Sequence, residues 1–550
     1  MKNPRLFFRR SHFNRLKSFR TSAAVILPTL MLMVAVATTV ATAQTFSVLY
    51  NFGSNSGDAR QPDGLLAQGL DGNLYSTTTS GGTLGLGTVF KSTPTGTLSV
   101  LHNYDGAHGG YPIGGLTLGA SGNFYGAFYG GTRSFCAGVD RVTSSGRVTV
   151  FPYCDAGHPN APPIYGRSGD SYGTMAQGGQ FGDGTVYKMT RAGEFTTLYD
   201  FDGVHGNFPV GGLVQANDGS FYGTTSTGGA DDGGTLFRIT SRGNLTVLHT
   251  FRYFTQPRGP LVEGSDRNLY GVTKQGGNQN VGMVFKITPS GVFTVLHDFD
   301  YPGTDGYYPA GLVQASDGNF YGTTEFGGTM DYGTVYRLSP GGSYSVLYNF
   351  DGTTGANPEA SLLQHTNGIL YGHTSGGGTW GFGTFYNLDV GLKPFVGLRL
   401  TVGKVGRSID ILGQGFTGTT GVSFNGTSAT FTAVSDTYLT ATVPEGATTG
   451  YVTVTTPGGT LTSNHPFRVE PGILGFTPAS GPVGTLVTIT GNSLTQTRKV
   501  TFGGVTAPTF TLDSDTQVTA TLPAGAVSGK IAITTTTGRT FSPGDFTVTP

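Results

Sequence analysis

Charged residues make up only 12% of this 550-residue chain, while glycine numbers 92. So little charge argues against long solvent-exposed helices and suits turn-rich β structure. Cysteine is limited to Cys136 and Cys154, and no CxxC pair occurs. HExxH, GxSxG and P-loop sequences are also missing, so the common zinc-peptidase, serine-hydrolase and nucleotide-binding chemistries lack their motifs. No EF-hand spacing offers a calcium loop. Long apolar runs are confined to one place, Ala23 to Val40. Disorder is excluded too: aromatic residues reach 12%, and Gly and Pro are spread through patterned segments.

Acid is absent from the first twenty residues, which carry Lys2, Arg5, Arg9, Arg10, Arg15, Lys17 and Arg20. The basic start, the apolar run and Ala41-Thr42-Ala43 read as a secretory signal peptide over residues 1–43. The run is also near the minimum for spanning a bilayer, so an uncleaved anchor is the alternative. Loss of residues 1–20 changes the formal charge from 0 to −7. A mildly acidic mature chain has no electrostatic footprint for nucleic acid. The C-terminal FSPGDFTVTP shows no anchor or sorting tail.

What the chain has in abundance is repetition. A clear copy is GLVQASDGNFYGTTEFGGTMDYGTVYRLSPGGSYSVLYNFD, residues 311–351. Tyrosine marks each copy, at Tyr75, Tyr125, Tyr172, Tyr222, Tyr270, Tyr321 and Tyr371, with spacings of 47 to 51 residues. A period near fifty with four short apolar runs per unit signals a propeller or a similar array. In the sixth unit the runs are 311–316, 319–324, 333–339 and 344–351, divided by Asp-Gly, Gly-Gly and Pro-Gly-Gly turns. Turns this short join antiparallel neighbours. The third run occurs seven times, yet the fourth follows only the first six. FSVLYNFG at 46–53 matches that missing run. The expected fold is therefore all-β: a seven-bladed β-propeller, residues 44–394, closed by an N-terminal strand that removes exposed sheet edges.

Two further related segments follow. SIDILGQGF (408–416) matches LVTITGNSL (486–494), and SDT recurs at 435 and 514. Two immunoglobulin-like β-sandwiches are expected, residues 395–470 and 471–550. Residues 46–389 resemble the GloVer tandem-repeat proteins, on GLVQASDGNFYGTTEFGG and GGLVQANDGSFYGTTSTGG. Segment 161–175, APPIYGRSGDSYGTM, departs most from that pattern. Residues 398–550 resemble two IPT/TIG domains, on GFTPASGPVGTLVTITG at 475–491. The resemblance implies a bacterial surface or secreted protein with extracellular spacing or binding modules. It implies no catalytic residues.

Several residues could carry function. The seven tyrosines suit inter-blade packing, with stacking on sugars as the alternative. Gln68, Gln215, Glu263, Gln314 and Gln364 recur in the first run, where the second and third units have Leu118 and Tyr165. They either tie neighbouring blades together or ring a ligand. Asp105/His108, Asp155/His158 and Asp202/His205 place an acid three residues before a histidine in three successive loops. That pairing suits a transition metal or acid–base work, and these six are the ligand-binding candidates. His102, His249 and His297 alternate with tyrosine in the fourth run, which points to packing. Cys136 and Cys154 flank a predicted hairpin about Ser145. In an exported protein they are expected to pair, with two buried free thiols as the alternative.

The expected function is a secreted or cell-surface, non-enzymatic binding or scaffold protein. Its partner would be an extracellular polysaccharide or surface protein. No catalytic residue, metal, cofactor, nucleic-acid partner or membrane span after signal cleavage is expected. A lyase or hydrolase working on carbohydrate in the propeller channel is the alternative. The oligomeric state is left open.

Overall fold

The computed structural model describes residues 44–107, 109–119, 122–130, 136–154, 157–535 and 538–550. The expected signal peptide, His108 and Asp155 lie outside these residues. Every regular element described is a strand, and among the described residues no helix is long and apolar enough to cross a membrane.

Each repeat folds into a four-stranded antiparallel sheet. The sixth comprises Tyr307–Gln314, Phe320–Phe326, Thr334–Leu338 and Tyr344–Asn349, in chain order across the sheet. Its first turn forms because Asp317 Oδ1 accepts the Asn319 N–H at 3.0 Å, while Gly318 takes φ +82°. The second strand is buried over Phe320–Glu325, since sheets pack on both of its faces. The fourth is half-buried, as suits an outer strand.

Aromatic rings join one sheet to the next. Tyr75 stacks on Phe124 at 4.2 Å and Tyr172 on Phe221 at 4.1 Å, while Tyr270 packs tilted on Phe320 at 4.1 Å. Burial of each such ring contributes about 1.5–3 kcal/mol. The hydroxyls of Tyr75, Tyr222, Tyr270 and Tyr321 are satisfied locally, as Tyr321 donates to Asp317 Oδ2 at 3.0 Å. Outer strands interlock in the same way: His249 stacks on Phe293 at 4.0 Å and His297 on Tyr344 at 3.9 Å.

The strand Thr45–Asn51 pairs with Thr384–Asp389, in register from Thr45↔Asp389 to Asn51↔Thr384. It completes the sheet of Leu370–His373 and Leu363–Gln364. Phe46 stacks on Tyr348 at 3.6 Å, the place that Phe293 and Tyr344 fill in other repeats. Segment 161–175, the most divergent by sequence, still forms a regular sheet with strands Ile164–Tyr165, Ser171–Met175, Thr185–Met189 and Phe195–Asp200. Cys136 and Cys154 are joined across the hairpin, with Cα atoms 4.5 Å apart.

After Asp389 come two pairs of packed sheets. The first encloses Ile409, Ile411, Phe416, Phe424, Leu439 and Phe467. The second encloses Val487, Ile489, Val500, Phe502, Val518 and Ile533. The shared SDT turns serve one purpose: Asp436 Oδ1 accepts the Thr417 N–H at 3.1 Å, and Asp515 Oδ1 the Thr495 N–H at 3.3 Å.

The first of these domains sits against the C-terminal ends of the innermost repeat strands. Thr437 donates to Leu70 O at 2.7 Å, the Phe395 N–H to Thr366 O at 3.0 Å, and Gln414 to Thr366 Oγ1 at 2.9 Å. Arg399 and Arg468 reach the carbonyls of Gly119 and Asn217.

Candidate functional site

Asp202 and His205 pair within one exposed loop, Nδ1 to Oδ2 at 2.8 Å. His158 instead contacts Asn160 Oδ1 at 3.1 Å and packs on Tyr129. Asp105 accepts its own loop's Ala107 N–H at 2.9 Å. Among the described residues no three His, Cys, Asp or Glu side chains could together hold a metal ion.

The recurring amides bind protein. Gln215 Oε1 accepts the Arg167 N–H at 2.9 Å, Gln314 the Ser265 N–H at 2.8 Å and Gln364 the Ser316 N–H at 2.8 Å. Glu263 does the same for Asn217, and Gln68 Oε1 accepts the Thr366 N–H at 3.0 Å. Each is a latch from one repeat to the turn of the preceding one. Where Leu118 and Tyr165 replace the amide, Arg399 of the following domain intervenes. It donates to Gly119 O, lies 6.0 Å from the Tyr165 ring and pairs with Asp410 at 2.6 Å. Gln314→Leu should cost about 1–2 kcal/mol in urea unfolding, because the Ser265 N–H loses its acceptor. Gln314→Glu should retain most of the stability, as Glu263 does naturally.

At the N-terminal ends of the innermost strands lies a cavity of about 380 Å³. Every repeat contributes the residue that directly follows a proline: Asp63, Ile113, Asn160, Val210, Arg258, Ala310 and Glu359. The proline recurs; the next residue changes in charge and size. Backbone strain aims this collar. Gln61, Tyr111, Phe208, Gln256, Tyr308 and Asn357, each just before its proline, hold φ between 49° and 57°. Residues other than glycine rarely adopt that region, and it persists where surrounding structure enforces it.

Charge around the collar is divided. Arg258 pairs with Glu325, and Lys274 reaches the same carboxylate at 3.2 Å. Asp63 and Glu359 stand together on neighbouring repeats. Burial, then the charge of Glu359, pushes the Asp63 carboxyl up to about 7, against a smaller opposing effect of Arg258. Asp63 Oδ1 and Ser361 Oγ are buried without hydrogen-bond partners. Periodicity could have flagged the collar, as a position where a recurring proline is followed by chemical variety.

Residues 158–386 match the family described as Gloeobacter/Verrucomicrobia repeat, and residues 398–469 and 471–548 each match the IPT/TIG domain. The chain carries Gloeobacter/Verrucomicrobia repeats followed by two IPT/TIG domains. The repeat match includes the divergent segment 161–175, while the sheets before residue 158 lie outside it.

Among solved structures the chain is similar to a catalytically inactive virginiamycin B lyase from Staphylococcus aureus. Identity is 15%, coverage 63% of this chain and 99% of that one, and the TM-score 0.45. A fungal copper-bound alcohol oxidase gives 15% identity, coverage of 76% and 99%, and a TM-score of 0.42. A surface glycan-binding protein from Prevotella bryantii gives 22% identity, coverage of 27% and 38%, and a TM-score of 0.20. No curated protein matches the chain. The repeat region is a succession of four-stranded antiparallel sheets, and the IPT/TIG domains are pairs of packed sheets.

The two ends of the innermost strands thus differ. At one, the first IPT/TIG domain walls a second cavity with Phe395, Arg399, Asn464 and His465. At the other, the collar is ringed by the long loops of the Gloeobacter/Verrucomicrobia repeats. Their tips expose Leu84 (62%), Phe181 (56%), Met330 (62%) and Trp380 (52%). Tyr111, Tyr253 and Tyr301 are exposed on the loops between repeats. Among the described residues, the large apolar side chains exposed elsewhere on the repeats are Val292 and Val295.

Proposed function

We propose that this chain is a secreted or cell-surface binding protein. Its repeats form a closed seven-bladed propeller that takes an extracellular glycan at the collar end. The collar carries this reading: one position per repeat varies in chemistry while its scaffold recurs, as suits recognition on a rigid frame. The exposed rim supports it as well. Flat aromatic faces suit the C–H faces of sugar rings, and apolar side chains gathered on one face mark an interaction surface. Closure is supported by the pairing of Thr45–Asn51 with Thr384–Asp389 and by the Gln68 latch to Thr366. With the other end walled by an IPT/TIG domain, the ligand enters from the collar side.

One observation favours a second reading. Two adjacent carboxyls, one held near neutral pKa, also suit acid–base cleavage of a glycosidic bond. A glycan array with product analysis separates the two. Retention of an intact oligosaccharide supports binding, whereas new reducing ends or unsaturated products support a hydrolase or lyase. Trp380→Ala and Phe181→Ala are each expected to weaken the retained glycan roughly tenfold in calorimetry. Absence of any retained glycan, or full affinity in both variants, would remove the reading.

A further inference from the structure

We propose that Asp63 and Glu359, with Ser361, form a subsite for the ammonium group of a free amino sugar at the collar. The inference rests on the glycan reading above and names the part of the glycan that the cavity selects.

The acceptors are already in place. An ammonium group presents three donors. Asp63 Oδ1 and Ser361 Oγ are buried at the cavity and lack partners, a costly arrangement unless a ligand supplies one. Glu359 is held by Ser375, which donates to its Oε1 at 2.9 Å. Asp63 is fixed by its neighbours: the preceding proline follows the strained Gln61, and Gly64 O accepts a hydrogen bond from His373 Nε2 at 2.6 Å.

The surrounding charges leave the pair available. Arg258 and Lys274 face the same cavity, but both are engaged by Glu325. His373, on the strand behind, is held neutral by burial, with its pKa lowered to about 4. Two acidic side chains beside each other favour an incoming positive charge; burial first and the charge of Glu359 second raise the Asp63 pKa, against a smaller effect of Arg258. A divalent metal is a poorer fit, because calcium takes six to eight oxygens. The Ile113, Val210 and Ala310 positions of the same cavity are apolar, a surface for the sugar ring.

The test compares tetra-glucosamine with tetra-N-acetylglucosamine by calorimetry at about pH 6, in two buffers of different ionisation enthalpy. The free amine should bind about tenfold more tightly or better, and binding should release a proton as Asp63 ionises. Glu359→Gln should abolish the preference, so that the free and the acetylated sugar bind with equal affinity. Asp63→Asn should abolish the proton release. Should Asp63→Asn fail to fold, Glu359→Gln carries the test, with its melting curve as control. Equal affinity for both sugars would overturn the ammonium subsite and leave the glycan reading standing. Preferential capture of trilysine over both sugars would overturn the amino-sugar assignment. Failure of the intact protein to bind any glycan would overturn both readings.

Discussion

Deleting residues 44–54 is expected to lower the melting temperature of the whole repeat region by about 10 °C or more. The segment supplies Phe46, Tyr50 and Phe52 to two aromatic clusters, one on each side of the seam. Three such side chains account for roughly 5 kcal/mol of burial. Their loss also bares the edge of Thr384–Asp389 and, through Tyr348, unseats the sixth sheet. Calorimetry should show one cooperative transition moving down, not a small early transition ahead of an unchanged main one. A peptide of residues 44–54 added in trans should recover part of the shift. A truncated protein that melts with the intact one would overturn ring closure.

Acid should destabilise the protein through His373, and His373→Thr should remove that sensitivity. His373 stands where the sixth and third repeats have Thr323 and Thr174. Those threonines donate to Ala360 O at 3.0 Å and Gly211 O at 3.4 Å, each on the following repeat. His373 Nε2 makes the equivalent bond to Gly64 O. Its Nδ1 is buried with no acceptor, so a second proton has nowhere to go. Burial lowers the pKa from 6.5 to about 4. Between those values the unfolded chain binds the proton and the folded one does not. Stability contributed by the neutral ring is full above about 6.5 and is lost as pH falls toward 4, a difference of about 3 kcal/mol. The denaturant midpoint of the native protein should fall relative to that of His373→Thr as the pH drops, whatever their offset at pH 7. Parallel curves from pH 7 to 4 would exclude the histidine as the cause.

The fold was legible because its signals are local and repeated. Asp-Gly turns, alternating apolar runs and an odd fourth strand at 46–53 each state a short-range rule many times over. The role of the amides was legible as one of two options, and geometry decided for the latch. The acid–histidine loops carry a signal of short range. Their spacing lets Asp202 meet His205 inside one loop, and nothing in that spacing brings separate loops together. Asp63 and Glu359 were invisible as a pair, since 296 residues separate them and only the seam between first and last repeats makes them neighbours. Arg399 was equally hidden. Its partners, Gly119 O and the Tyr165 ring, belong to the two repeats whose own latch is missing.

The pairing of Thr45–Asn51 with Thr384–Asp389 also sets a timetable. A chain made from its N-terminus delivers one strand of this sheet first and the other three only after every repeat between them. The early strand must wait unpaired, and sheets that assemble meanwhile expose two sticky edges. Contacts of such long sequence separation form slowly. The least safe moment for this protein is therefore the interval just before the last repeat emerges. A chaperone that masks a single β-edge would matter most then, and a pause in synthesis ahead of Asp389 should raise aggregation more than one placed after it.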